Sequence, residues 1–171
     1  ADYYYVNKSS LPKVYGGFNT SLSWKGLDLS AIFAYSIGGY IYNRDITMIL
    51  HNGSLEGRAW STEILRRWTP DNRYTDVPAL STTSNNWNSA STRFLQNNSY
   101  MRLKNLTLSY NLPKPWVSKL ALSSVQVYVQ GDNLFTIHKN QGLDPEQGIT
   151  GITYYRYPAM RTISGGINIA F

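Results

Sequence analysis

Five stretches of the chain alternate apolar with small polar residues at a period of two, the pattern of strands that show one face to an apolar medium and the other to water. In 14–24, Val14, Gly16, Phe18, Thr20, Leu22 and Trp24 share one face, and Tyr15, Gly17, Asn19, Ser21 and Ser23 share the other. Lys25 and Gly26 then suit a two-residue hairpin turn. The next stretch, 27–36, sets Leu27, Leu29, Ala31, Phe33 and Tyr35 against Asp28, Ser30 and Ala34. A two-residue turn places Trp24 opposite Leu27, so the two apolar faces coincide. In 101–112, Leu106, Leu108, Tyr110 and Leu112 alternate with Thr107, Ser109 and Asn111; in 124–135, Val125, Val127 and Val129 alternate with Gln126, Tyr128 and Gln130. The last stretch, 161–171, runs Ile163, Gly165, Ile167, Ile169 and Phe171 against Thr162, Ser164, Gly166, Asn168 and Ala170.

The polar faces decide the class. They carry Ser, Thr, Asn, Gln and Gly where a sandwich in water would carry long charged side chains, which fits a wall with lipid on one side and water on the other. The connections alternate in length: Lys25–Gly26, then 37–99, then the turn between the third and fourth strands, then 136–160. Tight periplasmic turns alternating with long external loops are the habit of an outer-membrane barrel. The expected fold is therefore all-β, with antiparallel strands forming the last five staves of a transmembrane β-barrel and long external loops containing a short helix. Five strands cannot close when the smallest bacterial membrane barrels need about eight, so both edges are expected to pair with other polypeptide.

Within the long loop, Trp60, Ile64, Leu65 and Trp68 are spaced for a short amphipathic helix. "TPDNRYTDVP" reads as turn-rich coil, and 81–92, which has little but Trp87 to bury, as the mobile part. Pro113 and Pro115 end the third strand ahead of a short helix over Trp116 to Leu120. Trp24, Tyr110, Trp116 and Phe171 fall where a periplasmic aromatic girdle forms.

Composition agrees and narrows the chemistry. The chain has 14 Tyr and 5 Trp, only 15% charged residues, and a mean hydropathy of −0.34. No run approaches the roughly 18 apolar residues of a membrane helix, a test that leaves a β-barrel open. There is no Cys, so disulfides and thiolate metal sites do not arise. The formal charge of +6 comes from scattered Lys and Arg with no RNP1 or zinc-finger pattern, so nucleic acid is not an expected partner. His51 and His138 lie far apart with no HExxH spacing, and neither a metal site nor a cofactor is expected. Asp144 and Glu146 in "GLDPEQG" sit too close on one turn to flank a sugar and miss EF-hand spacing; they read as a Pro-containing turn. Without a nucleophile and base constellation, no enzyme is expected.

The blocks "RRWTPDNRYTDVPAL", "SYMRLKNLTLSYNLPK", "VQVYVQGDNLFTI", "GLDPE" and "YPAMRTISGGINIAF" together resemble the closing region of SusC/RagA-type TonB-dependent outer-membrane transporters. The resemblance implies a barrel of about 22 strands, an N-terminal plug, and a SusD-like surface lipoprotein as a lid. It also implies import of oligosaccharides or peptides with energy from TonB, in the outer membrane of a Gram-negative bacterium. On that basis residues 1–171 are expected to be the C-terminal part of the barrel domain. The plug, the TonB box and the other strands are expected to lie outside them; "ADYYYVNKSS" carries no export signal, so either the signal lies elsewhere or these residues are a piece of a longer chain. The implied partners are the remainder of the chain's own barrel and plug, TonB through that missing part, the SusD-like lipoprotein, outer-membrane lipid and the substrate.

"SGGINIAF" also matches the family's assembly-signal arrangement, with Ser164, Gly166, Ile169 and Phe171 at its marked positions. An alternating extended strand of this kind can add to the sheet edge of an assembly machine by main-chain pairing. Trp60, Trp68, Trp87, Tyr154, Tyr155 and Tyr157 are the loop aromatics that would stack on a ligand or meet the lid lipoprotein, the plainer role being packing within the loops. The competing function is a soluble carbohydrate-binding β-sandwich, which would bury one face of every strand in a shared core.

Overall fold

The computed structural model describes residues 4–51, 56–81, 89–140, 142–146 and 148–171. In chain order the elements are β1 (Val14–Trp24), β2 (Leu27–Ile37), β3 (Tyr40–Asn43), α1 (Arg44–Ile49), β4 (Leu95–Asn97), β5 (Tyr100–Asn111), α2 (Lys114–Val117), β6 (Ser124–His138), β7 (Ile152–Thr153) and β8 (Thr162–Ala170). They form two compact units: a sheet unit of residues 12–39, 98–146 and 157–171, and a loop unit of 1–11, 40–97 and 147–156.

The sheet unit is one antiparallel sheet in the order β1-β2-β5-β6-β8. Lys25 and Gly26 both have positive φ, +48° and +88°, the primed turn whose twist matches the strands it joins. A Cβ on Gly26 would lie 2.9 Å from the Asn111 carbonyl, so the turn needs glycine twice over. Register then aligns the apolar positions in rows across all five strands. Trp24, Leu27, Tyr110, Val127 and Ile167 form one row; Leu22, Leu29, Leu108, Val129 and Gly165 the next; Thr20, Ala31, Leu106, Gly131 and Ile163 a third. In a fourth, Phe18 stacks on Phe33 with centroids 4.7 Å apart, followed by Leu103 and Phe135.

This face is not a core. Leu22 is 67% exposed, Ile167 62% and Val129 47%. A β-sandwich buries such a face, so the sandwich alternative fails on this observation. The opposite face is polar and cross-linked: Gln126 Nε2 donates to Ser109 Oγ, Asn105 Nδ2 to Asp132 Oδ1, and Asn168 Nδ2 to Gln126 Oε1. β1 and β8 each pair on one side only within the described chain. No helix among the described residues is long and apolar enough to cross a membrane.

The alternation breaks in "MRLKN", and the structure shows why. Lys104 has no cross-strand partner in either ladder, so the outward positions of β5 change from Leu106 to Leu103 across a bulge. β6 answers with Asn133 at φ +52°, its Nδ2 donating to the Met160 carbonyl at 3.2 Å.

The loop unit buries Ile41, Leu50, Ile64, Val77 and Phe94, with Ile64 and Val77 clustered together. Its sheet runs β4-β3-β7, with β3 antiparallel to β4 and parallel to β7. Asn43 caps α1 by accepting the Ile46 N–H at 3.0 Å. The amphipathic helix expected around Trp60 to Trp68 is only a 3-10 turn, Thr62–Arg66, started by Ser61 Oγ on the Glu63 N–H. It stops because polar groups of the following coil take its carbonyls. Asn72 Nδ2 and Thr75 Oγ1 donate to the Arg66 carbonyl, and Trp68 N–H goes to the Val77 carbonyl instead of back along a helix. Of that apolar set Ile64 is buried, while Leu65, Trp60 and Trp68 stay exposed. Most of the stretch expected to be mobile, residues 82–88, lies outside the described residues.

Candidate functional site

The densest chemistry of the sheet unit is a charge cluster on the polar face, where Arg102 of β5 sits between Ala34 of β2 and Thr136 of β6. Its side chain is 4% exposed and spends its guanidinium on three partners. Nε donates to Thr136 Oγ1 at 2.9 Å, Nη1 to Glu146 Oε2 at 2.9 Å and Nη2 to Asp144 Oδ1 at 2.5 Å. Asp144 also accepts the N–H of Glu146 at 2.9 Å and of Ala159 at 2.6 Å. Lys104, displaced by the bulge, reaches the Glu146 carboxylate at 2.6 Å. Burial by itself would raise the Asp144 carboxyl, but the two backbone N–H groups and Arg102 outweigh it and hold the group below its ordinary value.

The "GLDPE" segment is thus fastened to the strands by ions. Asn98 Nδ2 adds a bond to the carbonyl of buried Pro145 at 2.9 Å. Asp144 and Glu146 are engaged with cations rather than poised for a substrate. Reading from sequence missed Arg102; the available signal was an arginine that unbroken alternation would set on the apolar face with Leu106 and Leu108, and only the bulge at Lys104 turns it to the polar face.

The loop aromatics fall in different places. Trp60 lies edge-on to His51, centroids 5.3 Å apart. His51 is fully buried, and its ring nitrogens have no hydrogen-bond partner among the described residues. Trp68 is exposed, with its backbone tied to Val77. Tyr154 and Tyr155 meet edge to face at 4.7 Å, and the Arg44 guanidinium lies over Tyr154 at 5.2 Å. These three belong to the loop unit with Trp60 and Trp68, whereas Tyr157, 97% exposed, belongs to the sheet unit. Trp87 lies outside the described residues.

Tyr155 is held at φ +46°, a left-handed conformation that costs a residue with a side chain of order 1 kcal/mol or more. Asp45, in the first turn of α1, over-determines it: Oδ1 accepts the Tyr155 N–H at 2.9 Å and Oδ2 the Thr153 hydroxyl at 3.2 Å. Strain spent to hold two exposed phenols edge to face makes a rigid platform with apolar faces and polar rims.

In β8, Ser164 lies opposite Gln130, Gly166 opposite Tyr128 and Ile169 opposite Val125, while Phe171 extends beyond the ladder. Gly166 makes room for its neighbour's ring. A Cβ there would lie 2.8 Å from the Tyr128 hydroxyl oxygen and 2.9 Å from two of its ring carbons. Gly166→Val in the complete polypeptide is expected to cost about 1–3 kcal/mol by overpacking. A double-mutant cycle with Tyr128→Ala, read by denaturant unfolding, should recover most of that loss; an additive cycle would place the need for glycine elsewhere.

No family model matches the chain. The TonB-dependent receptor P3 of Formosa agariphila is 36% identical over 167 residues, 91% of this chain and 16% of that receptor. The TonB-dependent receptor SusC of Bacteroides thetaiotaomicron is 26% identical over 171 residues, covering 98% of this chain and 16% of its own length. Among solved structures, the RagAB peptide importer in its open-open state superposes with a TM-score of 0.85 at 36% identity, over 97% of this chain and 18% of that one. In its closed-closed state the TM-score is 0.83 over the same shares.

Proposed function

Because the chain belongs to the SusC/RagA type of TonB-dependent receptors, we propose that it builds the C-terminal part of the barrel wall of an outer-membrane importer. The observation that carries this reading is the apolar face of the five-stranded sheet, in register over every strand and exposed over most of its length, with Ala31 and Leu103 buried within it. Lipid covers such a face, and the polar face opposite lines a water-filled or plugged lumen. The connections 37–99 and 136–160 lie on the external side. The edges of β1 and β8 pair with the rest of the barrel, since backbone groups left open in hydrocarbon cost several kcal/mol each. The substrate is an oligosaccharide or a peptide, taken up with energy from TonB and with a SusD-like lipoprotein over the external loops. The importer does no covalent chemistry on it. Ser164, Gly166, Ile169 and Phe171 form the strand through which the assembly machinery engages the nascent barrel.

Tyr154 and Tyr155 are the loop aromatics assigned to the lid or the ligand. Tyr154→Ala with Tyr155→Gly keeps the backbone N–H that Asp45 holds and removes both rings. In a Gram-negative host lacking its own copy, the complete polypeptide should appear in the outer membrane and support TonB-dependent uptake. The double variant should reach the same level in the membrane while lid retention or uptake falls about tenfold, the size of one or two lost aromatic contacts. Uptake that persists without TonB would overturn the importer reading, and a double variant with unchanged lid retention and uptake would overturn the assignment of the two tyrosines.

A further inference from the structure

We propose that the turn end of the sheet, around Lys25, Lys114 and Lys119, is a binding site for the phosphate of an anionic phospholipid; the proposal rests on reading the apolar face as a lipid-facing wall. The two turns at this end are neighbours. Asn111 N–H donates to the Gly26 carbonyl at 2.8 Å, so β5 runs past the Lys25–Gly26 turn directly before α2 and the 3-10 turn Ser118–Leu120 that carry the other two lysines. All three lysines are exposed, and none has a carboxylate within ion-pair distance among the described residues. The acidic side chain at this end among the described residues, Asp28, lies in the polar-face row with Ser23 and Ser109, and its Oδ2 accepts from Asn111 Nδ2 at 2.8 Å.

The lysines also have apolar company suited to a membrane boundary. Trp24 is exposed on the apolar face with the Lys25 ammonium 5.1 Å from its ring, and Trp116 and Leu120 are exposed beside Lys114 and Lys119. Tryptophan and leucine seat at the edge of the acyl region while lysine stems carry their charge out to phosphate depth. At the other end of the strands the arrangement differs, because the protein itself neutralises Arg102 and Lys104 with Asp144 and Glu146. The turn end leaves its positive charge for a ligand. Charge complementarity therefore selects an anionic phospholipid over a neutral one.

The complete polypeptide, refolded into vesicles of phosphatidylcholine alone or mixed with phosphatidylglycerol or lipid A, supplies the test, with retained lipid read by native mass spectrometry. Retention of phosphatidylglycerol over phosphatidylcholine is expected. It should fall about fivefold for each of Lys25→Gln, Lys114→Gln and Lys119→Gln, and more than about twentyfold for the triple variant. Lys139→Gln, remote from the turns, should leave it unchanged. An equal fall in Lys139→Gln, an undiminished preference in the triple variant, or stronger retention of lipid A than of phosphatidylglycerol would each overturn the site. Entry into vesicles with no preference between the phospholipids overturns the site alone. Failure to enter any vesicle overturns the membrane-wall reading and the site with it.

Discussion

Replacing Leu106 by arginine is expected to destabilise the complete barrel by about 2–4 kcal/mol, the penalty for a guanidinium on the lipid face near mid-depth. Leu106 lies in the third apolar row from the turns, between Ala31 and Gly131, where snorkelling to either interface is longest. Gln130→Arg is the matching control, adjacent in sequence to that row yet on the opposite face, where Gln130 Nε2 already donates to Asp132. A charge there has water or a carboxylate to meet, and the cost should stay below about 1 kcal/mol. Denaturant unfolding of both variants in the same bilayer separates them. Equal losses would mean that both faces of the sheet are buried in protein, and the wall reading would fall.

The second large effect concerns Arg102. Removing one partner of a buried ion pair leaves the other charge uncompensated, at about 3–5 kcal/mol. Arg102→Ala is therefore expected to free the 142–146 segment, because Asp144, 6% exposed, keeps its backbone donors but loses its cation. The bond from Lys104 to Glu146 is half-exposed and should add 1 kcal/mol at most, about the ceiling for such pairs. Hydrogen exchange of Glu146 and Ala159 reports the change. Acid offers the same experiment without mutation. The Asp144 carboxyl is held below its ordinary value, so its contribution is fully present above about pH 4 and is lost as pH falls through the lowered folded value. Protection of these amides should weaken in that window in the wild type, and the step should be smaller in Arg102→Ala, where only the backbone donors of Glu146 and Ala159 still favour the charged carboxylate. Protection that is unaltered by the substitution and flat with pH would show that Pro145 burial and the Asn98 bond hold the segment by themselves.

What the sequence determined by itself is the part of the structure governed by solvent and by turns. A strand between lipid and water alternates, so the five strands, their apolar faces outside the bulge at Lys104 and the coincidence of those faces across Lys25–Gly26 could be read residue by residue. Ser and Asn on the second face carried the choice between a membrane wall and a sandwich, and the exposed apolar rows agree with it. Gly166 was legible as part of a pattern, while its cause, the Tyr128 ring laid across it, was not.

Tertiary structure decided everything that depends on partners distant in the chain. The bulge at Lys104 exists because three strands must keep one apolar face, and no local propensity marks it. Arg102 meets Asp144 across 42 residues of chain, a pairing that spacing cannot announce. In the loop unit, β3 and β7 come together from opposite ends of the sequence, and Asp45 fixes Tyr155 across 110 residues. The Trp60–Trp68 segment has helical spacing, but Asn72 and Thr75 compete for its carbonyls and a 3-10 turn results. Periodicity reports which side of an element meets which medium; long-range hydrogen bonds decide whether that element survives and what it holds in place.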